Sequence, residues 1–380
     1  MIMNSKSGIE KFITNPSRTQ LIIYIAAMIV ISRAAFFLLY VWHLDGSTFQ
    51  GFLESINIWD SNYYKMIVTD GYPESATAQS SWAFFPLYPL TVRLVTKLTG
   101  MNIDLAGFLI SNICCFVSCI YSYLYIMETR KNAEEALFYL TLMVMGVCGF
   151  YESIMYTEAM YLMFLSMCFY YMEKDSYLVM GVCGALMTAT RNTGVFFVFA
   201  ILFYWIHKIQ AKSFKEFVIR TFSNSRLVLG TMMVPLGMFL FMYHLWNLTG
   251  DPLAFVHIQK AFMQDTKPGM FNVFARAVDL YGGQLWFWGY VIGLLLILVM
   301  LCTLKKNSER VWGIINWIIP FQRGMGCQQR YLHIDIVTEL CFSDWCMKLK
   351  RRWRIAILVL MALAELVLMI MWLDRNGFLV

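Results

Sequence analysis

Long apolar runs recur from one end of this chain to the other, and they limit its fold more than any other feature. Helical runs of roughly 17 to 25 apolar residues match the thickness of a bilayer core. Of the 380 residues, 59% are hydrophobic and only 14% are charged, whereas about a quarter are charged in an average soluble domain. The runs are continuous and do not alternate, which excludes a membrane barrel. The sequence therefore predicts an all-α polytopic membrane protein.

About eleven candidate spans can be counted, and neither an internal repeat nor a Pro/Gly/Ser-rich linker divides them. The tenth is weak and is included because the basic run before the last span should lie on the cytoplasmic side. Several spans are short, as in helices that pack among other helices. We therefore expect one integral-membrane domain over residues 1–380. The spans are residues 19–42, 104–127, 134–151, 155–172, 176–190, 193–209, 227–246, 284–304, 310–321, 331–347 and 354–373.

Basic residues mark one set of connections between the spans. Lys and Arg collect in residues 1–18, 207–226 and 305–310, which the positive-inside rule assigns to the cytoplasm. The opposite side receives the long loop 44–103, with five acidic residues against three basic ones. We therefore expect a cytoplasmic N-terminus over residues 1–18 and a large first outer loop over residues 44–103.

This outer loop is far longer than most connections, which favours a functional segment. Within it, the segment "AFFPLYPLTVRLVTKLTG" cannot be a span, since Pro86 and Pro89 interrupt its start and Arg93 and Lys97 lie one turn apart near its end. Its second half fits an amphipathic helix in the plane of the membrane interface. Such a helix would form one wall of a site at the membrane surface, beside an apolar groove for a lipid chain.

Asp60, in "NIWDSNYY", is the acidic residue of this loop with the most aromatic surroundings. It follows Trp59 and precedes Tyr63 and Tyr64. One interpretation is a solvated loop acid. The other is a base that takes a proton from a hydroxyl, beside flat aromatic faces that pack on sugar or lipid. Tyr72 extends the same aromatic set, as does Trp82, which lies just before "AFFPLYPL".

Four other charged residues lie in or beside connections on the outer side: Glu158, at the mouth of the fourth span, and Arg191, Lys260 and Arg330. Glu158 is either a polar helix end or part of a site. Each arginine either reaches toward the interface or uses its planar fork to bind phosphate oxygens. Arg330 also follows a glycine-containing stretch, "RGMGCQQ", whose backbone amides could approach an anion.

Several function classes lack any signal. The chain has no paired D-x-D, no HExxH, no Walker loop and no Cys/His cluster, so neither a metal site nor a nucleotide site is predicted. Most of the ten cysteines lie in apolar runs, where they act as small buried side chains. The net charge of +6 is dispersed, and nucleic-acid binding is not expected. We expect no cofactor.

The outer-side residues resemble, in order and spacing, those of the PIG-V-type mannosyltransferases, the relatives of GPI mannosyltransferase 2. The resemblance extends from about residue 20 to 335. It is carried by Trp59-Asp60 with "YYKMIVTDGY", and by "AFFPLYPL", "YTEAMYLMF", "ATRNTG", "GDPLAF", "QKAF" and "RYL". The tryptophan-aspartate pair with "AFFPLYPL" is the most specific part.

The resemblance implies an inverting glycosyltransferase of the GT-C superfamily that uses a polyprenyl-phosphate mannose donor and a glycan or glycolipid acceptor. Asp60 corresponds to the catalytic acid of the family motif, and Glu158, Arg191 and Arg330 match its other charged positions. In that scheme Arg191, Arg330 and Lys260 bind the donor phosphate. The acceptor or sugar is bound by Glu158, Trp59, Tyr63, Tyr64, Tyr72 and Trp82.

Two positions depart from the family pattern. Met155 stands where proline is common, and the usual apolar segment after Arg330 is replaced by "YLHIDIVTELCFSDW". The resemblance also implies an active site on the non-cytoplasmic side of a multi-pass protein. The membrane would be the plasma membrane in a bacterium. In a eukaryote it would be the endoplasmic reticulum membrane, where a small membrane partner subunit is also expected.

Two alternatives stay open. One is a secondary transporter or lipid flippase, which would carry its charges near the bilayer midplane, often in repeated halves. The other is a GT-C transferase with another sugar or acceptor. The clustering of polar groups on one side of the membrane favours an enzyme over a transporter.

Overall fold

The computed structural model describes residues 8–76, 78–262, 270–322 and 328–379, and these residues form helices and no strand. Short 3₁₀ turns connect several of them, at Ser81–Ala83, Gly149–Glu152, Asn192–Phe196, Ile319–Gln322 and Gly377–Leu379. The α-helices are Gly8–Thr14, Arg18–His43, Phe49–Ile56, Asp60–Thr69, Leu87–Thr99, Ile103–Thr129, Ala133–Met145, Glu158–Glu173, Tyr177–Thr190, Phe197–Ile209, Phe214–Ser223, Ser225–Met233, Leu236–Thr249, Ala254–His257, Gln259–Phe262, Met270–Tyr281, Leu285–Cys302, Asn307–Ile318, Gln328–His333, Val337–Cys346 and Arg351–Leu373.

Six helical segments of the described chain are long and apolar enough to cross a membrane. The predicted helical membrane architecture is therefore confirmed, whereas the count of about eleven spans is not. The six segments are Arg18–His43, Ile103–Thr129, Asn192–Ile209, Ser225–Thr249, Leu285–Cys302 and Arg351–Leu373.

Other predicted spans form helices that are too short to cross a bilayer straight through. Ala133–Met145, Glu158–Glu173 and Tyr177–Thr190 have 13, 16 and 14 residues, and about 20 residues are needed to cross roughly 30 Å of hydrocarbon. The first two are buried over most of their length and lie in the middle of the molecule beside Ile103–Thr129. Their apolar character reflects packing among helices as much as contact with lipid.

The weak tenth span, predicted over residues 331–347, is not one helix. It is divided into Gln328–His333 and Val337–Cys346. The chain turns at Ile336, whose φ is 65°, and the Asp335 carboxylate accepts a hydrogen bond from the Thr338 N–H at 2.7 Å. A side chain that binds the backbone in this way competes with a continuous helix.

Local signals explain several helix ends. Ser17 and Gln20 form a capping box at the start of Arg18–His43. The two side chains accept hydrogen bonds from two N–H groups that have no partner within the helix. Gly100 ends Leu87–Thr99 with a φ of 71°, a conformation that glycine adopts without steric cost. Pro235 separates Ser225–Met233 from Leu236–Thr249, because proline has no N–H to donate.

The outer loop is folded over most of its length. Phe49–Ile56 and Asp60–Thr69 are helical, and Leu87–Thr99 coincides with the predicted interfacial helix. This last helix packs against Asp60–Thr69 and Ile103–Thr129. It buries Tyr88 and Val92; its outward face carries the exposed side chains of Leu90, Leu94 and Leu98. The two-sided pattern agrees with an interfacial position, which stays a prediction.

Candidate active site

Four charged side chains from distant parts of the chain meet at one place: Asp60, Glu158, Arg191 and Arg330. Arg330 Nη1 lies 3.3 Å from Asp60 Oδ2, and its Nε lies 3.3 Å from Glu158 Oε1. Arg191 Nη1 lies 2.6 Å from the same Glu158 oxygen. The two acids and the two bases balance in formal charge, so the cluster is neutral as a whole. The helical packing thus brings together the four charged positions matched to the family motifs.

A strained backbone precedes Asp60. Trp59 has a φ of 56°, which costs a non-glycine residue of order 1–3 kcal/mol. Asp60 is the first residue of its helix, and its N–H donates to the Tyr156 hydroxyl at 3.2 Å. Ser61 donates from its hydroxyl to the Met155 carbonyl at 3.2 Å. These contacts fix Asp60 beside the connection that leads to Glu158.

Glu158 is the buried centre of the cluster. Its side chain is only 1% exposed, whereas that of Asp60 is 25% exposed. Glu158 begins the Glu158–Glu173 helix, where the positive end of the helix dipole favours a carboxylate. Arg191 lies just after the end of Tyr177–Thr190. Of the two acids, only Asp60 is accessible enough to meet a substrate.

The arginines are surrounded by three tyrosines that were not predicted from the sequence. The Arg330 guanidinium lies 5.4 Å from the Tyr156 ring centre and 5.9 Å from that of Tyr151. The Arg191 guanidinium lies 4.7 Å from the Tyr331 ring centre. Such contacts stabilise a cation through the ring quadrupole. Two of the three adjoin charged motif residues in the sequence, since Tyr156 lies in "YTE" and Tyr331 in "RYL".

The two predicted sugar-binding tyrosines next to Asp60 have different environments. Tyr63 stacks on Phe84 with ring centres 4.7 Å apart, and its hydroxyl donates to Gln79 at 2.8 Å. Tyr64 is buried, with its hydroxyl 3.4 Å from the Thr157 hydroxyl. Burial raises the pKa of the Tyr64 phenol above its ordinary value. Tyr63 thus lies at the surface of the loop. Tyr64 lies in its interior and contacts Thr157, the residue before Glu158.

The remaining predicted aromatic residues shape the loop. The Tyr72 hydroxyl donates to the Phe84 carbonyl at 2.7 Å, and Trp82 Nε1 donates to the Pro73 carbonyl at 2.7 Å. These bonds tie the middle of the loop to the start of "AFFPLYPL". Trp59 is 36% exposed and directly precedes Asp60. Trp59 is therefore available as an apolar face next to the carboxylate.

Some predicted residues lie outside the described part of the structure. The side chain of Lys260 is one of them, and Gly324 and Gly326 of the glycine-containing stretch are others. Near Lys260, the exposed Asp251 and His257 pair at 2.7 Å, and the hydrogen bond from His257 lowers the pKa of Asp251.

An apolar groove of about 440 Å³ lies behind the short helix that carries Arg330. It is bounded by Leu285–Cys302, Val337–Cys346 and Arg351–Leu373, and not by the interfacial helix where we expected a lipid groove. Its wall includes Leu294, Ile297, Met300, Leu332, Phe342 and Met361, and its polar residues include Gln329, His333, Thr338 and Glu339. An unbranched or isoprenoid chain matches such a lining. Among the described residues, no group of three or more His, Cys, Asp or Glu side chains is arranged to hold a metal ion.

No protein-family model matches this chain, and no curated protein matches it. Solved structures do match along nearly its full length. The Archaeoglobus fulgidus oligosaccharyltransferase tethered with an acceptor peptide containing the NVT sequon is 12% identical, with a TM-score of 0.50 over 96% of this chain and 55% of that one. The apo form is 13% identical, with a TM-score of 0.49 over 97% and 56% of the two chains.

A third match is the archaeal oligosaccharyltransferase AglB from Archaeoglobus fulgidus in complex with an inhibitory peptide and a dolichol-phosphate. It is 11% identical, with a TM-score of 0.47 over 93% of this chain and 56% of that one. This chain thus spans little more than half the length of these proteins. The match at a TM-score of 0.50 is a likeness of fold alone.

Proposed function

We propose that this protein is an inverting glycosyltransferase that moves mannose from a polyprenyl- or dolichyl-phosphate donor to a hydroxyl of a glycan or glycolipid. The observation that carries the proposal is the neutral cluster in which partly exposed Asp60 lies 3.3 Å from buried Arg330. The motif resemblance supports mannose as the sugar and a lipid phosphate as its carrier, and the fold likeness to an oligosaccharyltransferase supports transfer of a glycosyl group. The reaction takes place on the non-cytoplasmic side of the membrane.

In the proposed reaction, Asp60 acts as the base. The acceptor oxygen attacks the anomeric carbon from the face opposite the phosphate, and its proton passes to an Asp60 carboxylate oxygen. The bond between the anomeric carbon and the phosphate oxygen breaks, and that electron pair leaves with the lipid phosphate. Because attack and departure occur on opposite faces, the anomeric configuration inverts. The other Asp60 oxygen is oriented by Arg330.

The departing phosphate gains negative charge, which preorganised cations stabilise most strongly in a site that excludes water. Arg330 and Arg191 are suited to this role, since both are largely buried and both are held by Glu158. A guanidinium can bind two phosphate oxygens at once. Glu158 in this proposal keeps the two arginines in place and does not contact the acceptor, because its side chain is only 1% exposed.

The apolar groove behind Arg330 suits the lipid carrier. Its lining is almost entirely hydrocarbon, and Gln329, the residue before Arg330, is part of its wall. An isoprenoid chain in this groove would keep the donor close to the two arginines. Trp59 directly precedes Asp60 and is 36% exposed, and Tyr63 follows Asp60 by one helical turn, so both are suited to contact the sugars.

The decisive experiment is incubation of the purified protein with polyprenyl-phosphate mannose and a panel of glycan and glycolipid acceptors. We expect labelled mannose to be transferred by the wild type. Asp60→Asn should reduce the rate by about a hundredfold to ten-thousandfold, since general base catalysis contributes that much. Asp70→Asn is the matched control, because Asp70 is an exposed acid of the same loop, and it should keep normal activity.

Normal transfer by Asp60→Asn would overturn the assignment of the base. Absence of transfer from any lipid-phosphate sugar, together with counterflow of a solute or lipid in proteoliposomes, would favour the transporter alternative. Transfer of a different sugar would support the GT-C reaction and would show that the donor sugar is not mannose.

A further inference from the structure

A second set of buried charged groups lies directly beside the candidate site. Glu152 lies in the connection between Ala133–Met145 and Glu158–Glu173, and Glu158 is the first residue after that connection. Arg330 and His333 lie one turn apart on the Gln328–His333 helix. Arg330 Nε is 3.3 Å from Glu158, and His333 Nε2 is 3.6 Å from Glu152 Oε1. The connection and the short helix are thus joined by two charge pairs, and only one of them includes site residues.

The second pair is completed by Glu339. His333 Nδ1 lies 2.7 Å from Glu339 Oε1, so a carboxylate faces each nitrogen of the ring. His333 is 3% exposed and Glu152 is 0% exposed. A protonated imidazole donates from both nitrogens, which suits this arrangement of two acids. Other ionisable groups adjoin the pair: Glu365 accepts from the backbone N–H groups of Cys148 and Phe150, and Arg33 donates to the Gly149 carbonyl.

Glu152 depends on this partner. Among the described residues, neither oxygen of its carboxylate has a hydrogen-bond partner. A buried carboxylate without compensation is costly, and in the described part of the chain the His333 ring at 3.6 Å is its one ion-pair partner. Removal of the imidazole would remove this contact, and it would disfavour the present position of the short helix.

The short helix needs such support. It has six residues. An isolated helix of that length is not stable, because the unfavourable free energy of nucleating a helix exceeds the stabilisation that a single turn provides. The chain turns again at Ile336, three residues after His333. The position of Arg330 therefore depends on contacts between this helix and the residues packed around it. The contacts of His333, one turn from Arg330, are among them. His333 and Glu339 also belong to the segment that departs from the family pattern.

We infer that His333, held between Glu152 and Glu339, is a positioning residue that fixes Arg330 against Asp60 and Glu158 and thereby sets the affinity of the site for a lipid phosphate. The part concerning phosphate rests on the proposed function. The part concerning the helix does not, because it follows from the two charge pairs alone.

The first test is independent of any ligand. Amide hydrogen exchange should be faster over residues 328–333 in His333→Gln than in the wild type. It should return toward the wild-type rate in His333→Lys, which restores a cation. The control is Glu309→Gln, since Glu309 is as buried as Glu152 but pairs with Arg130 elsewhere. Exchange over residues 328–333 that is the same in His333→Gln and the wild type would overturn the inference.

The second test is a double-mutant cycle with farnesyl phosphate as the probe, measured by titration calorimetry in detergent. His333→Gln should raise the Kd by about tenfold in the wild-type background and by less than about twofold in an Arg330→Gln background, because residues that act through one another are not additive. Equal losses in both backgrounds would overturn the positioning role. If the wild type does not bind the probe, the proposal that this site binds the donor phosphate is wrong. The exchange experiment still decides whether His333 holds the helix in place.

Discussion

At the scale of single residues, Glu158 has the most demanding environment in the site. One of its oxygens, Oε1, lies 2.6 Å from Arg191 and 3.3 Å from Arg330. Both guanidinium groups are largely buried, so a single carboxylate compensates much of two positive charges. Removal of one partner from a buried ion pair is far more costly than removal of a surface pair, because the remaining charge stays desolvated.

Glu158→Gln should therefore destabilise the protein by about 3 kcal/mol or more, as expected for a broken buried pair, and it should also abolish transfer. The measurement is the apparent Tm of the detergent-solubilised protein, followed by tryptophan fluorescence. Glu54→Gln is the control, because Glu54 is an exposed acid of the outer loop that accepts a hydrogen bond from Gln50. A Tm for Glu158→Gln equal to that of the control would contradict the central role of Glu158.

At the scale of helices, Tyr177–Thr190 packs against Ser225–Met233 and Leu236–Thr249 through glycines. A Cβ on Gly230 would lie 2.1 Å from the Tyr177 carbonyl oxygen, and one on Gly237 would lie 2.0 Å from the Ala185 carbonyl oxygen. Helices in membranes commonly approach at small residues, which allow close backbone contact. Because Arg191 follows Tyr177–Thr190 directly, this contact also helps to place a site residue.

Gly230→Leu should force these helices apart and destabilise the protein by about 3 kcal/mol, the upper end of ordinary overpacking. We expect a lower apparent Tm and a smaller monodisperse fraction in size-exclusion chromatography. Gly289→Leu is the matched control: this glycine also lies in an apolar helix, but a Cβ there meets no atom within 4 Å. If both leucine variants behave alike, the close approach at Gly230 is not important for stability.

At the scale of the whole molecule, charged residues of connections that are predicted to lie on the same side of the membrane contact one another. Connections predicted to be cytoplasmic contact one another, as in the Lys306–Glu173 pair at 2.6 Å and the Lys174–Glu128 pair at 2.8 Å. Residues predicted to lie outside meet around Glu158. These contacts agree with the predicted orientation, which stays a prediction.

Labelling with a membrane-impermeant maleimide in whole cells tests the orientation. In a background with Cys302 and Cys327 changed to serine, Glu74→Cys should react in intact cells. Lys215→Cys should react only after permeabilisation, since the positive-inside rule places its basic segment in the cytoplasm. Both positions are exposed. The opposite labelling pattern would reverse the topology and would move the candidate site to the cytoplasmic side.

The amino-acid sequence by itself determined the helical membrane architecture, because hydrocarbon thickness and the positive-inside rule act on local composition. It also singled out Asp60, Glu158, Arg191 and Arg330 as charged residues of one side. The interruption at Ile336 was not predicted, since a single span over residues 331–347 is expected from the cytoplasmic placement of the basic run that follows it.

Only the tertiary structure decided how these residues contact one another. Asp60 and Arg330 are 270 positions apart, and no periodicity along the chain predicts that one guanidinium contacts both Asp60 and Glu158. The same holds for Tyr156 under Arg330 and for the pair of Glu152 and His333. Contacts of this kind depend on how several helices pack at once, and that packing follows from shape and burial across the whole molecule, not from any single segment.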